Sequence, residues 1–85
     1  MKQALNQHAS ALQALESLEA GDWNHAHALV ENDPSPEAAW VHAHLHRAEG
    51  DLSNARYWYR LARRPECTQT LDEERREITR MLSGA

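Results

Sequence analysis

The sequence predicts an all-α domain of about five helices, arranged as two antiparallel helical hairpins stacked on each other and closed by a C-terminal helix. Three observations lead there. Apolar residues recur at spacings of three and four through most of the chain, and no stretch alternates at period two over a useful length. A Gly-Asp pair occurs twice, at Gly21-Asp22 and Gly50-Asp51, each time ending one apolar-periodic run and opening another. Two proline-marked breaks, at Pro34-Ser35-Pro36 and at Pro65, then divide the chain into a first hairpin over 2–32, a second over 36–64 and a last helix over 70–83.

Each element has a local reason. Residues 2–20 read as an amphipathic helix with Leu5, His8, Leu12 and Leu15 on one stripe, flanked by Ala4, Ala11 and Leu18, and Gly21 ends it. Asp22 is placed to cap a second helix in which Trp23, Ala26, Ala28, Leu29 and Val30 turn towards a core. Ser35 and Pro36 are the cap and first residue of a third helix, with Ala38, Val41, Leu45 and Ala48 as its stripe. Asp51 or Ser53 opens a fourth, striped by Leu52, Ala55, Tyr59 and Ala62. Thr70 and Glu73 form a capping-box pattern before a fifth, striped by Leu71, Ile78, Met81 and Leu82.

Bulk composition excludes several function classes. Eighty-five residues make one domain near the lower limit for a self-sufficient core. A single Cys67 excludes an internal disulfide or a multi-cysteine zinc site. The N-terminus lacks the apolar core of a signal peptide and no apolar run approaches membrane-spanning length, so the expectation is a cytoplasmic protein with no membrane partner. Residues 1–46 carry one Lys and six acidic residues, against eight Arg and seven acids in 47–85. An acidic first half disfavours nucleic acid, whose phosphates require a basic face.

The two Gly-Asp segments are copies. Residues 19–26 align with 48–55 at a displacement of 29, each copy giving helix, turn, bulky residue and a small Ala for close approach. The stretch from Trp40 to Ala62 resembles a tetratricopeptide repeat: Gly50-Asp51, Ala55, Tyr59 and Ala62 match its second helix, and Trp40 and Ala43 lie near the expected places in its first. The displacement is shorter than that repeat's usual ~34, and Trp40 is one residue nearer the turn. The string from Trp40 to Arg60 (WVHAHLHRAEGDLSNARYWYR) also resembles that of a group of small bacterial proteins of unassigned function. It covers about a quarter of the chain, implies a bacterial source and brings no activity with it.

The repeat resemblance implies a protein-binding module without catalysis. It places Trp40, His44 and Arg47 on the inner side of the third helix and Asn54, Tyr57 and Trp58 in a second row, a set of aromatic, polar and Arg side chains that interfaces favour. The partner is a protein segment or a second copy of the chain; a purely structural dimer seamed by Leu5, Leu12 and Leu15 is a further alternative. Six histidines in 85 residues carry the competing reading, a small-ligand- or metal-binding protein or enzyme that uses His42, His46 and Glu49. His42 and His46 share a helix face and Glu49 follows three residues on, a row of nitrogen and oxygen donors with metal-ligand spacing, to which His25 or His27 adds a donor from the neighbouring helix. The plain reading is that these are surface or hydrogen-bonded packing histidines. His44, two residues from each, points elsewhere. No nucleophile sits in an elbow or dyad, so no catalytic residue and no cofactor are assigned. The arginines 56, 60, 63 and 64, interleaved with Tyr57-Trp58-Tyr59, suit an acidic partner or simply the C-terminal end of a helix dipole. The run from Glu73 to Glu77 reads as a solvated helix face.

Overall fold

The computed structural model describes residues 8–84. It contains five helices: α1 (Ala9–Glu19), α2 (Trp23–Val30), α3 (Pro36–Ala48), α4 (Leu52–Ala62) and α5 (Leu71–Leu82). Residues 2–7 of the expected first helix, with Leu5, lie outside the described residues. No helix among the described residues is long and apolar enough to cross a membrane.

The two Gly-Asp turns fold identically. Gly21 and Gly50 both take φ +88°, a left-handed conformation that an L side chain rarely adopts. In each turn the following Asp donates its N–H five residues back, Asp22 to Ser17 O and Asp51 to His46 O, which closes the helix end with a Schellman-type bond. The same Asp side chains then cap the next helices, accepting from the His25 and Asn54 backbone N–H groups. Two residues thus stop one helix, reverse the chain and start another. Arg63 ends α4 with the same five-residue closure, from Arg64 N–H to Tyr59 O, at φ 60° without a glycine.

Ser35 accepts from Ala38 N–H at 3.1 Å with Pro36 at the first helical position. Thr70 and Glu73 make both bonds of the capping box, at 3.1 and 3.0 Å. Thr70→Ala removes one of these bonds, and we expect a loss of about 1 kcal/mol of stability, measurable as a lowered urea midpoint with unchanged helicity in the native baseline. An unchanged midpoint would show that the box does not hold the start of α5.

The hairpins α1–α2 and α3–α4 are each antiparallel, and α3 lies at the centre of the molecule, touching all four other helices. Residues 38 to 46 of α3 are all buried. Ala14, Ala26, Ala38, Ala43 and Ala55, all within 2% of full burial, let the helix backbones approach, while Leu45, Tyr59 and Ile78 fill volume. α4 packs almost entirely on α3, and α5 lies across α3 and α1.

The stripes are broadly as the periodicity predicts, with five residues corrected. Ala28 is exposed. Leu52 and Leu71 sit in the first turns of their helices, beyond the reach of the packed interface, and are exposed. Met81 is also exposed, near the C-terminal end of α5. The buried stripe of α5 is completed by Glu74, which contradicts the solvated-face reading of that residue.

Candidate functional site

Alternation along α3 creates two polar clusters on opposite sides of one buried helix. His42 and His46 are one turn apart and share a face, while His44, two residues from each, falls nearly opposite. The first cluster faces α4 and α5; the second faces α2 and α4.

Glu74 is the hub of the first. His44 Nδ1 donates to Glu74 Oε1 at 2.8 Å, and Arg47 Nη1 donates to the same oxygen at 2.8 Å. Tyr59 OH donates to the other oxygen. Arg47 also reaches the Gln69 carbonyl, tying the α4–α5 loop to α3. Both Glu74 and His44 are about 1% exposed. Burial alone would raise the Glu74 pKa, but hydrogen bonds from His44, Tyr59 and Arg47, with the nearby positive charge, reverse that and hold it below the ordinary carboxylate value. Burial and then the hydrogen bond to Glu74 push the Tyr59 phenol up, so it stays a donor.

The second cluster is a stack of rings. Trp58 lies flat on His42 at 3.7 Å between centroids, and Trp23 stacks on His27 at 4.9 Å. His27 meets His42 edge-on at 4.6 Å and His46 at 5.5 Å; His42 and His46 stack at 4.9 Å. Trp23 Nε1 donates to the Leu45 carbonyl at 2.7 Å, which fixes this wall to α3. His46 Nδ1 donates to Glu49 Oε2 at 2.9 Å, and His27 Nδ1 lies 3.4 Å from Glu31 Oε1. His42 Nδ1 is buried and has no hydrogen-bond partner among the described residues. Burial first, then the neighbouring His27 and His46, lower the His42 pKa to about 4, so its ring is neutral at physiological pH.

The residues assigned from sequence fare unevenly. Trp40, His44 and Arg47 do share one side of α3, but α5 and the loop before it cover that side. Trp40 is 5% exposed and lies beneath the Arg64 guanidinium, 3.5 Å from its ring centroid. Trp40 and His44 are therefore interior groups and not an inner binding face. Asn54 is half-buried and bonds back to the Asp51 cap; Trp58 is half-buried on His42. Tyr57 alone of the six is exposed. His42 and His46 do come together, but Glu49 occupies the Nδ1 side of His46, and the third member of the cluster is His27 from α2. His25 is exposed and apart. Leu15 is 3% exposed and Leu12 packs on the core, so the stripe of α1 faces inward and not towards a dimer seam.

Glu74 and the Tyr59 hydroxyl are missing from the sequence assignment. A signal for Glu74 existed: it stands three residues after Leu71 and four before Ile78, a polar residue on a core stripe. Cys67, half-buried with its thiol pushed up by that burial, stays protonated at neutral pH and is no activated nucleophile. No family model, curated protein or solved structure matches this chain.

Proposed function

We propose that the protein is a non-catalytic interaction module that docks an acidic, apolar-anchored segment of another protein on the outer face of α4. The observation that carries this reading is the composition of that face. Arg56, Tyr57, Arg60, Leu61 and Arg63 are all exposed and form one continuous surface, and α4 contains no acidic residue. α4 packs on α3 from one side, and among the described residues no helix lies over this surface.

The chemistry of the face selects its partner. Tyr57 and Leu61, one turn apart and each 48% exposed, supply apolar anchors beside a row of guanidinium groups. Arg56 pairs loosely with Glu66 at 3.4 Å, while Arg60 and Arg63 make no ion pair among the described residues. Guanidinium groups bind carboxylates in a fork geometry, and aromatic and Arg side chains dominate interface energetics. The chain as a whole carries a net charge of −4, so the surface outside this basic face repels such a segment and restricts it here.

The test uses synthetic peptides of alternating Asp/Glu and Leu residues, titrated into the 15N-labelled chain. Shifts confined to 52–63 are expected, with at least roughly tenfold weaker binding for Tyr57→Ala and for Arg60→Glu. Both side chains are exposed, so both variants should keep the native helicity. Equal shifts from a Lys/Leu peptide, or none from the acidic one, would exclude this face and partner class.

A further inference from the structure

The ring cluster between α2 and α3 has the donors of a metal site, and it is independent of the docking face. One nitrogen of each of His27, His42 and His46 lies within 4.8 Å of one from each of the others. In a tetrahedral zinc site with Zn–N bonds of ~2.0–2.1 Å, neighbouring nitrogens are roughly 3.3 Å apart. Binding would draw the three nitrogens closer together than they stand here.

The hydrogen bonding around the rings has the pattern that metal-ligating histidines need. A carboxylate accepts from one ring nitrogen and so leaves the other with a lone pair for the ion. Glu49 does this for His46, at 2.9 Å from Nδ1, and Glu31 faces the Nδ1 of His27 at 3.4 Å. Each ring then offers Nε2. His42 has no such carboxylate; instead its Nδ1 is buried with no partner among the described residues, in a ring 3% exposed. An unpartnered buried nitrogen costs free energy unless something binds there. Trp58 and Trp23, stacked on the outer rings, fix the orientation of His42 and His27 and shield the cluster from water.

We infer that His27, His42 and His46 bind one divalent zinc-like ion through three imidazole nitrogens, with Glu49 and Glu31 as the outer carboxylates that orient two of the rings. An all-nitrogen set without thiolate selects borderline ions such as Zn²⁺ and Co²⁺ over Mg²⁺ or Ca²⁺, which require oxygen. The ion would join α2 to α3, two helices from different hairpins.

Co²⁺ and Zn²⁺ titrated into the whole chain are the direct probes. One equivalent of Co²⁺ should bind with the visible absorption of a low-coordinate nitrogen site and be displaced by Zn²⁺. His27 is partly exposed, so His27→Gln should fold and lower affinity by roughly 100-fold or more; Glu49→Gln should lower it about tenfold. His25→Ala should change nothing. Because His42→Gln perturbs the interior, its readout is paired with melting: Zn²⁺ should raise the midpoint of the native chain and leave that of His27→Gln unmoved. Binding undiminished by His27→Gln, or lost with His25→Ala, would overturn the assignment.

Discussion

Glu74→Gln is expected to cost the fold about 3 kcal/mol or more, the range observed when one partner of a buried charge network is removed. The side chain keeps its volume, but one of its two acceptor oxygens becomes an N–H₂ donor. That donor faces either Tyr59 OH or the His44 and Arg47 groups, all of which also donate. At least one buried donor is then unpaired, and the Arg47 charge loses its carboxylate. Total stability for 85 residues is on the order of 4–13 kcal/mol, so the variant should unfold at a markedly lower urea concentration. Tyr59→Phe should cost less, about 1–3 kcal/mol, because it removes one donor and leaves the charge pair intact. Combined, the two changes should cost less than their sum, since both break the same bond. A Glu74→Gln midpoint within experimental error of the native one would mean that the hub contributes no net stability.

The contrast between what was legible in the sequence and what was not follows the range of the forces. Gly21-Asp22 and Gly50-Asp51 were readable because a left-handed turn residue and an N-cap act within a few residues. Ser35-Pro36 and the Thr70/Glu73 box belong to the same class. The repeat resemblance placed Trp40, His44 and Arg47 together on the inner side of α3. What it could not supply was the element opposite. His44 meets a carboxylate 30 residues away, and Arg47 one 27 residues away. The covering helix α5 turns an apparent binding row into interior. The candidate metal row failed in one member for a related reason. Spacing gave His42, His46 and Glu49 along a single helix, but coordination is set by directions in space. Glu49, at the C-cap of α3, approaches His46 from its Nδ1 side, and His27 arrives from another hairpin.

Acid should unfold this protein in two overlapping steps with one sign, and the upper one belongs to His42. Its folded pKa of about 4 lies below the ordinary 6.5 because burial, then His27 and His46, disfavour the charged ring. Above pH 6.5 the ring is neutral in both states and contributes nothing that varies. Between 6.5 and 4 the unfolded chain binds a proton that the folded chain refuses, so stability falls with falling pH, by about 3 kcal/mol over the interval. Glu74 adds to the loss lower down. Its folded pKa is held below 4.5 by His44, Tyr59 and Arg47 against the opposing effect of burial, so its contribution is complete above 4.5 and disappears as pH falls through the folded value. Unfolding free energies measured in urea with metal chelated, from pH 7.5 to 3.5, should therefore decline from below pH 7 and steepen near 4. His42→Phe keeps a flat ring against Trp58 and removes the titrating group, so it should flatten the upper limb while the lower one persists. If the upper limb is unchanged in His42→Phe, the proton is taken up elsewhere, and the ring stack accepts charge more readily than its burial implies.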